Sequence, residues 1–412
     1  MGWNMPRCMA GLLKRGVEFF TRQQPAFRVN MVKNLVQNFS MSLTQQYNSI
    51  YVTALGANAQ ELGYVAGIGG IAFALVTLPV GLLAIRYGIR KILLVALFLL
   101  AAGYGVFASA PNWQSTALAF VLTTVAIEMA MTVCPMICGA SLNSNERSMG
   151  MQFCDTVSAF PRLAGPIVAA ILIPIFGGLV AEGIRPLYWI STGGILVALF
   201  IVWLKFENPP QASGSRMSFR EGIQRVFTEG VYIKRWSLYM GLGMLPVYMT
   251  LYIPLYVKMF RSATPLTLGF MDVGYWLTIV ALALPVGFSA DKYGRRRLII
   301  LLAPLYSLGL LVLIYLPGDL ALPIAGMLTG FLMLTNVTGG SISAELVPRE
   351  ILGSFYGLMG LVRGVVGLAS PILGGYIWNT FGPVYVLFFL AAVQILKLGV
   401  LVTMPEKTQY SI

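Results

Sequence analysis

The stretch LPVGFSADKYGRRR at residues 284–297 ends an apolar run in one acid and four bases. The stretch LPVGLLAIRYGIRK at residues 78–91 repeats it, with the same Leu-Pro-Val-Gly and the same Tyr-Gly. The two copies are offset by 206 residues, and the same offset relates residues 62–63 to residues 268–269. A repeat of this length indicates that one folding unit of about 200 residues occurs twice in parallel.

The composition is that of a protein embedded in a membrane. Of the 412 residues, 57% are hydrophobic and only 10% are charged, whereas a soluble domain carries roughly 25% charged residues. Apolar runs of about 20 residues, the length that crosses a bilayer as a helix, recur along the whole chain. We therefore predict an all-α membrane protein with twelve transmembrane helices in two pseudo-symmetric six-helix bundles. The predicted spans lie near residues 30–55, 61–85, 91–110, 114–141, 149–177, 186–205, 235–258, 266–290, 297–316, 320–345, 350–378 and 383–404.

The basic residues predict how the chain is oriented. The net charge of +13 comes from short clusters between the apolar runs, not from one patch that would bind nucleic acid. With the N-terminus inside, 22 of the 28 Lys and Arg residues fall in cytoplasmic segments and three in outside segments. This asymmetry follows the positive-inside rule. We expect a multi-pass protein of the cell (inner) membrane, with both termini cytoplasmic and no nucleic-acid partner.

One long polar segment divides the chain. Residues 206–233 contain Pro209-Pro210 and a Ser/Gly run, which are typical of a linker. Within the segment, Ser218 and Glu221 have the spacing of a capping box, which predicts a short amphipathic helix on the inner leaflet. The predicted domains are an N-terminal bundle at 1–205, this cytoplasmic linker, and a C-terminal bundle at 234–412.

The duplicated loop has a recognisable pattern of glycines and charges. Its second copy consists of Gly287, Asp291, Lys292, Gly294, Arg296 and Arg297, and its first copy of Gly81, Arg86, Gly88 and Arg90, with Ile85 in place of the acid. This pattern resembles the loop signature of the major facilitator superfamily of secondary transporters, and the resemblance covers nearly the whole chain. It implies two bundles that rock about a central site. It also implies a small-molecule substrate, and we expect a monomer without a cofactor.

The resemblance assigns the loop a gating role. Asp291 would dock against the start of the fifth span, near residues 146–149, and attract the positive end of that helix. This contact would hold the cytoplasmic side closed. Ile85 cannot form the mirror contact, so we expect a one-sided latch and an inward-open shift in Asp291→Asn.

Polar residues within the spans are candidates for substrate contact, because polar groups that face lipid are costly. In this family the first and fourth helices of each half line the cavity. The candidates on these helices are Asn34, Asn38, Gln45, Tyr248, Tyr252, Met333 and Asn336. The alternative for each is a hydrogen bond between helices.

Charged residues near mid-membrane are sharper candidates. Glu128 and Arg162 lie at similar depth on neighbouring predicted helices, which predicts an ion pair that either joins the helices or exchanges a proton. Arg363 has no acid at its depth on the tenth span. We expect it to meet Glu128 across the cavity, backbone carbonyls, or an anionic substrate. Arg162 and Arg363 are both candidates for substrate binding, because the spans hold too few buried acids to neutralise them fully. Since the chain has no histidine, proton coupling would fall to carboxylates.

Three further charges complete the set. Asp155 is a second candidate for proton coupling. Asp272, near the outer end of the eighth span, is either a gate residue facing Arg261 or a proton site. Lys397 lies near the inner end of the last span, where we expect its ammonium to snorkel to the surface.

Two alternatives to proton-coupled transport of an anionic or amphiphilic solute stay open. Met240, Met244, Cys134 and Cys138 offer soft sulfur ligands, so a Cu(I) importer is possible, although methionine is also a common core residue. The second alternative is a drug/proton antiporter, since Gly165-Pro166 partly matches the antiporter motif of the family. The chain contains neither a P-loop for ATP nor a recognisable catalytic domain, so we predict that it is not an enzyme.

Overall fold

A computed structural model describes residues 20–142, 147–208, 231–347 and 352–404, and every regular element in these ranges is a helix. In chain order the α-helices are α1 Pro25–Ser42, α2 Asn48–Ala54, α3 Ala59–Tyr87, α4 Ile89–Ser109, α5 Ser115–Ser141, α6 Arg147–Ile175, α7 Ala181–Lys205, α8 Val231–Met249, α9 Tyr252–Phe260, α10 Pro265–Tyr293, α11 Arg295–Tyr315, α12 Ala321–Thr329, α13 Phe331–Leu346, α14 Leu352–Thr380 and α15 Pro383–Val402. The all-α membrane fold predicted from the sequence is confirmed. Most of the predicted linker lies outside the described residues.

Three of the predicted spans are broken helices. A 3₁₀ turn at Gln45–Tyr47 separates α1 from α2, a bend separates α8 from α9, and Gly330 separates α12 from α13. Among the described residues, nine helices are long and apolar enough to cross a membrane, or ten when α8 and α9 count as one. The first and tenth spans fall short because their apolar runs are interrupted, so the count of twelve stays a prediction.

The two halves meet along two pairs of helices, α3 with α14 and α6 with α10. Glycines permit this close approach. A methyl group on Gly70 would overlap the backbone of Gly367, and one on Gly364 would overlap Ala74. Small residues at such crossings let helix backbones come together inside a membrane.

Contacts between the halves close one face of the protein, which we call the outer face after the orientation predicted from the sequence. Four hydrogen bonds join the halves there: Gln46 Nε2 to Leu268 O (3.2 Å), Tyr47 OH to Pro265 O (3.3 Å), Tyr252 OH to Ala59 O (3.1 Å) and Lys258 Nζ to Leu179 O (3.0 Å). All four acceptors are backbone carbonyls near the outer ends of helices. The structure therefore shows a state in which this face is closed between the halves.

The two copies of the duplicated loop are built alike. Gly88 and Gly294 have φ of 87° and 94°, a conformation that favours glycine. Arg90 Nη2 donates to Trp203 O at 2.5 Å, and Arg296 Nη2 donates to Val402 O at 2.7 Å. Each acceptor lies in the last turn of the final helix of its own half, where a cation is favoured by the helix dipole. The loop bases thus tie each bundle together.

Other parts of the predicted latch are not described by the structure. The side chain of Asp291 and residues 143–146 lie outside the described part of the structure, as does the side chain of Asp155. The latch therefore stays a prediction. Arg86 and Lys292, which occupy equivalent positions in the two copies, each stack over the following tyrosine at 5.4 Å and 5.1 Å from the ring centre.

Candidate functional site

A cavity of about 420 Å³ lies where the two halves meet. Both halves contribute to its wall, and the 3₁₀ break between α1 and α2 and the bend between α8 and α9 open onto it. Breaks of this kind are expected where backbone lines a cavity within the membrane. The side chains that matter for its chemistry are Gln45, Phe120, Arg162, Tyr248, Asp272, Tyr275, Trp276 and Met333.

The first set of charged residues in the cavity centres on Arg162 and connects α6 of one half with α10 of the other. Arg162 Nη2 donates to Asn38 Oδ1 at 3.0 Å, and its guanidinium carbon lies 4.4 Å from the ring centre of Trp276. The positive charge of Arg162 also acts on the carboxylate of Asp272. Asp272 and Trp276 are one turn apart on α10, so the acid and the ring face Arg162 together.

The second charged group lies beside the cavity and also crosses between the halves. Glu128 on α5 is 6% exposed, and the cation that acts on it is Arg363 of α14. Both charges act on Tyr248, which lines the cavity. The Arg363 guanidinium lies 5.7 Å from the ring centre of Phe73 on α3. We call the Asp272–Arg162 and Glu128–Arg363 combinations the crossed charge pairs.

The crossed charge pairs revise the predicted pairing of Glu128 with Arg162, and they include Glu128 with Arg363, one of the partners expected for Arg363. Depth alone matches Glu128 with Arg162, because both lie near the middle of neighbouring helices of one half. In the structure each acid lies near a base of the other half instead. A charge pair that spans the two halves changes when the halves move relative to each other. A pair within one half does not.

The remaining candidates divide between the cavity wall and positions behind it. Gln45, Tyr248 and Met333 line the cavity. Asn38 lies behind it and holds Arg162, while Tyr252 is fully buried and hydrogen-bonds Pro371 O at 2.6 Å. These last two act through other groups rather than through direct contact with the cavity.

Two residues are engaged elsewhere. Asn34 donates to the sulfurs of Cys134 and Cys154 at 3.8 Å and 3.5 Å. Asn336 accepts a hydrogen bond from Lys397 Nζ at 3.2 Å. Thus neither amide lies among the residues that line the cavity.

The expectation that Lys397 snorkels is wrong. Lys397 is 1% exposed, and its ammonium lies 4.6 Å from the ring centre of Tyr239 as well as near Asn336. Gly243 leaves room for the lysine at this point, since a methyl group there would lie 3.0 Å from Nζ. Because α15 is apolar along most of its length, its sequence does not reveal that the side carrying Lys397 faces the interior of the protein.

The sulfur ligands predicted for the Cu(I) alternative fall into different parts of the structure. Met240 packs in a cluster of the C-terminal half and accepts a 3.4 Å hydrogen bond from Ser343. Cys138 lies in a cluster of the N-terminal half together with Cys154. The structure thus does not bring the predicted methionine and cysteine ligands together.

The aromatic part of the site is missed by sequence reasoning. Trp276, Tyr275 and Phe120 line the cavity, but aromatic residues are ordinary in apolar helices. One signal was present: Trp276 follows the intramembrane acid Asp272 by four residues, which puts the ring and the carboxylate on one helix face.

Comparison with known proteins agrees with this architecture. The sequence pattern of the Major Facilitator Superfamily matches residues 34–263 and 259–410. A relative named "Multi-drug resistance efflux pump PmrA homolog", from Lactococcus lactis subsp. lactis, is 25% identical over 82% of this chain and 84% of its own. A second relative, "Multidrug resistance protein B homolog" from Mycobacterium tuberculosis, is 29% identical, but the match spans 29% of this chain and 23% of that protein.

Solved transporter structures share the fold. The nucleoside transporter NupG has a TM-score of 0.75 with 12% identity, covering 92% of this chain and 99% of NupG. A D-xylose-proton symporter has a TM-score of 0.69 with 14% identity, covering 94% and 99%. The chain is therefore an integral, multi-pass membrane transporter rather than an enzyme, and it belongs to the Major Facilitator Superfamily.

Proposed function

We propose that this protein is a proton-coupled secondary transporter of a small anionic or amphiphilic organic solute. It acts as a monomer in the cell membrane, with both termini in the cytoplasm and no cofactor. Its two bundles rock about the central cavity, so that the cavity faces each side in turn. The observation that carries the proposal is the placement of Asp272 and Arg162, from opposite halves, on one drug-sized cavity.

The cavity supports this substrate class by its size and lining. A volume of about 420 Å³ falls within the range of roughly 300–1,000 Å³ found for small-molecule sites. The rings of Tyr248, Tyr275 and Trp276 offer flat apolar surface, and Arg162 offers a bidentate donor for a carboxylate or phosphate. A planar organic ion would meet both kinds of contact.

The crossed charge pairs support coupling to protons. While Asp272 is ionised, it partly neutralises the charge of Arg162. When Asp272 takes up a proton, the guanidinium loses that countercharge, and an anionic solute can replace it. Proton and anion are then bound together, which makes the expected coupling symport.

A second candidate function is drug/proton antiport, which the efflux-pump relative and the aromatic lining favour. In that case a cationic solute would interact with the Asp272 carboxylate itself and compete with the proton. The sign of charge on the transported solute therefore distinguishes the two mechanisms.

The test is transport by purified protein in liposomes with an imposed pH gradient. Two dyes serve as probes, the anion fluorescein and the cation ethidium. We expect the pH gradient to accelerate the movement of at least one dye several-fold. Asp272→Asn should abolish that acceleration. In the absence of a pH gradient, the variant should still exchange dye across the membrane. Glu182→Gln is the matched control, since Glu182 is an exposed carboxylate in the first turn of α7.

The dye that responds assigns the mechanism. Movement of fluorescein in the same direction as protons indicates symport, and movement of ethidium in the opposite direction to protons indicates antiport. The proposal fails if neither dye responds to the gradient, or if Asp272→Asn and Glu182→Gln respond to it equally.

A further inference from the structure

Three cysteine thiols come together in the N-terminal half, away from the residues that line the cavity. Cys134 and Cys138 are one turn apart on α5, and Cys154 reaches them from α6. Their Sγ atoms all lie within 4.8 Å of one another. Sulfurs bound to one tetrahedral Zn²⁺ at about 2.3 Å lie about 3.8 Å apart, so closure by roughly 1 Å at most would form a binding site.

Polar groups of α1 surround the thiols. Asn34 Nδ2 donates to Cys154 Sγ at 3.5 Å, and Asn30 Nδ2 donates to Cys134 Sγ at the same distance. Lys33, on the same helix, is 1% exposed, and the three cysteines act on its charge. Donors and a cation around a thiol favour the thiolate, which is the form that binds metal.

An oxygen ligand lies beside the three sulfurs. The Oδ1 atom of Asn30 is buried and has no hydrogen-bond partner, while the amide nitrogen of the same side chain faces Cys134. Rotation of the amide by half a turn would place the oxygen where the nitrogen now lies, 3.5 Å from the sulfur. Three sulfurs and one oxygen complete the four positions that Zn²⁺ takes in proteins.

Ligand chemistry selects the class of ion. Three cysteine sulfurs and one amide oxygen can fill the four tetrahedral positions that Zn²⁺ takes in proteins. Thiolate ligands in turn favour thiophilic ions over Mg²⁺ or Ca²⁺.

From this geometry we infer that Cys134, Cys138, Cys154 and Asn30 bind one thiophilic divalent cation of the Zn²⁺ class. The ion would join α1, α5 and α6. Arg162 lies eight residues beyond Cys154 on α6, about 12 Å along the helix. Metal binding would therefore restrain the helix that carries Arg162, one member of a crossed charge pair, without occupying the cavity.

The experiment titrates Cd²⁺ into the reduced, full-length protein and follows the ultraviolet absorption of cadmium–thiolate bonds, with Zn²⁺ as competitor. We expect one Cd²⁺ per chain, displaced by Zn²⁺. Serine at any of the three clustered cysteines should weaken binding at least tenfold, and Asn30→Ala about tenfold. Cys8→Ser is the matched control and should bind as the parent protein does.

A second readout needs no variant. Zn²⁺ should slow the reaction of the half-buried Cys134 with a maleimide at least tenfold. The inference is overturned if reduced protein with four free thiols shows no cadmium–thiolate absorption. It is also overturned if Cys8→Ser removes the signal, or if the clustered cysteines form a disulfide that leaves Zn²⁺ without effect on maleimide labelling.

Discussion

The hydroxyl of Tyr252 is one of the groups that join the two halves at the closed outer face. This hydroxyl lies 2.6 Å from Pro371 O in its own half and 3.1 Å from Ala59 O in the other half. It also fills the space left by Gly63 and Gly375, one from each half. Tyr252→Phe removes the polar link between the halves and keeps the ring in place.

The size of the effect follows from the value of one hydrogen bond. A net contribution of about 0.5–1.5 kcal/mol corresponds to about a 2- to 13-fold change in an equilibrium constant at 25 °C. Tyr252→Phe should therefore raise the ratio of outward-open to outward-closed protein by that factor. Only the bond to Ala59 O crosses between the halves, so we expect the loss of this bond, and not of the one to Pro371 O, to change this ratio.

Spin-label distance measurements can read the ratio. Labels at Pro111 and Leu320 report on the two halves, since both residues are exposed in loops of the outer face. The four native cysteines are replaced by serine so that only the two introduced cysteines carry labels. We expect a larger population at the longer distance in Tyr252→Phe. Tyr376→Phe is the control. Tyr376 is exposed on α14, so this substitution removes a tyrosine hydroxyl from the surface. An unchanged or shorter distance in Tyr252→Phe would refute the reasoning.

Two further predictions concern charges. Arg363→Gln leaves Glu128 buried without its cation and should lower stability by up to about 3 kcal/mol, whereas the double variant with Glu128→Gln should recover most of the loss in thermal unfolding. Equal melting temperatures of the single and double variants would contradict the pairing. Arg90→Gln removes a cation from the carbonyl of Trp203 at the end of α7 and should cost about 1 kcal/mol, while Lys91→Gln, a neighbouring exposed base, should cost nearly nothing.

Sequence patterns predicted the architecture because it depends on features that repeat. The copies at residues 78–91 and 284–297 revealed two related halves, and the structure gives both loops the same glycine conformation and the same kind of arginine contact. Hydrophobic length predicted the regular helices well. It was least useful at α1 and at α12 with α13, which fall short of the apolar length of a span.

Pairing within the site could be predicted only in part, since Glu128 was one of three partners expected for Arg363. Sequence position gives the depth of a charge in the membrane, so it placed Glu128 and Arg162 at one level. It does not give the rotation of each helix or the contact between halves, which bring Asp272 to Arg162. Lys397 shows the same limit, because an inner-end position suggested the surface while helix rotation buries it.

The central claim is that a solute binds between the halves, in the cavity flanked by the crossed charge pairs. A density map of the protein bound to whichever dye it transports tests this most directly. We predict density for the dye against Tyr248 and Trp276, with Arg162 and Asp272 within contact distance of it. Dye density on the lipid-facing surface, or a cavity in which Arg162 and Asp272 have turned away from it, would contradict the claim.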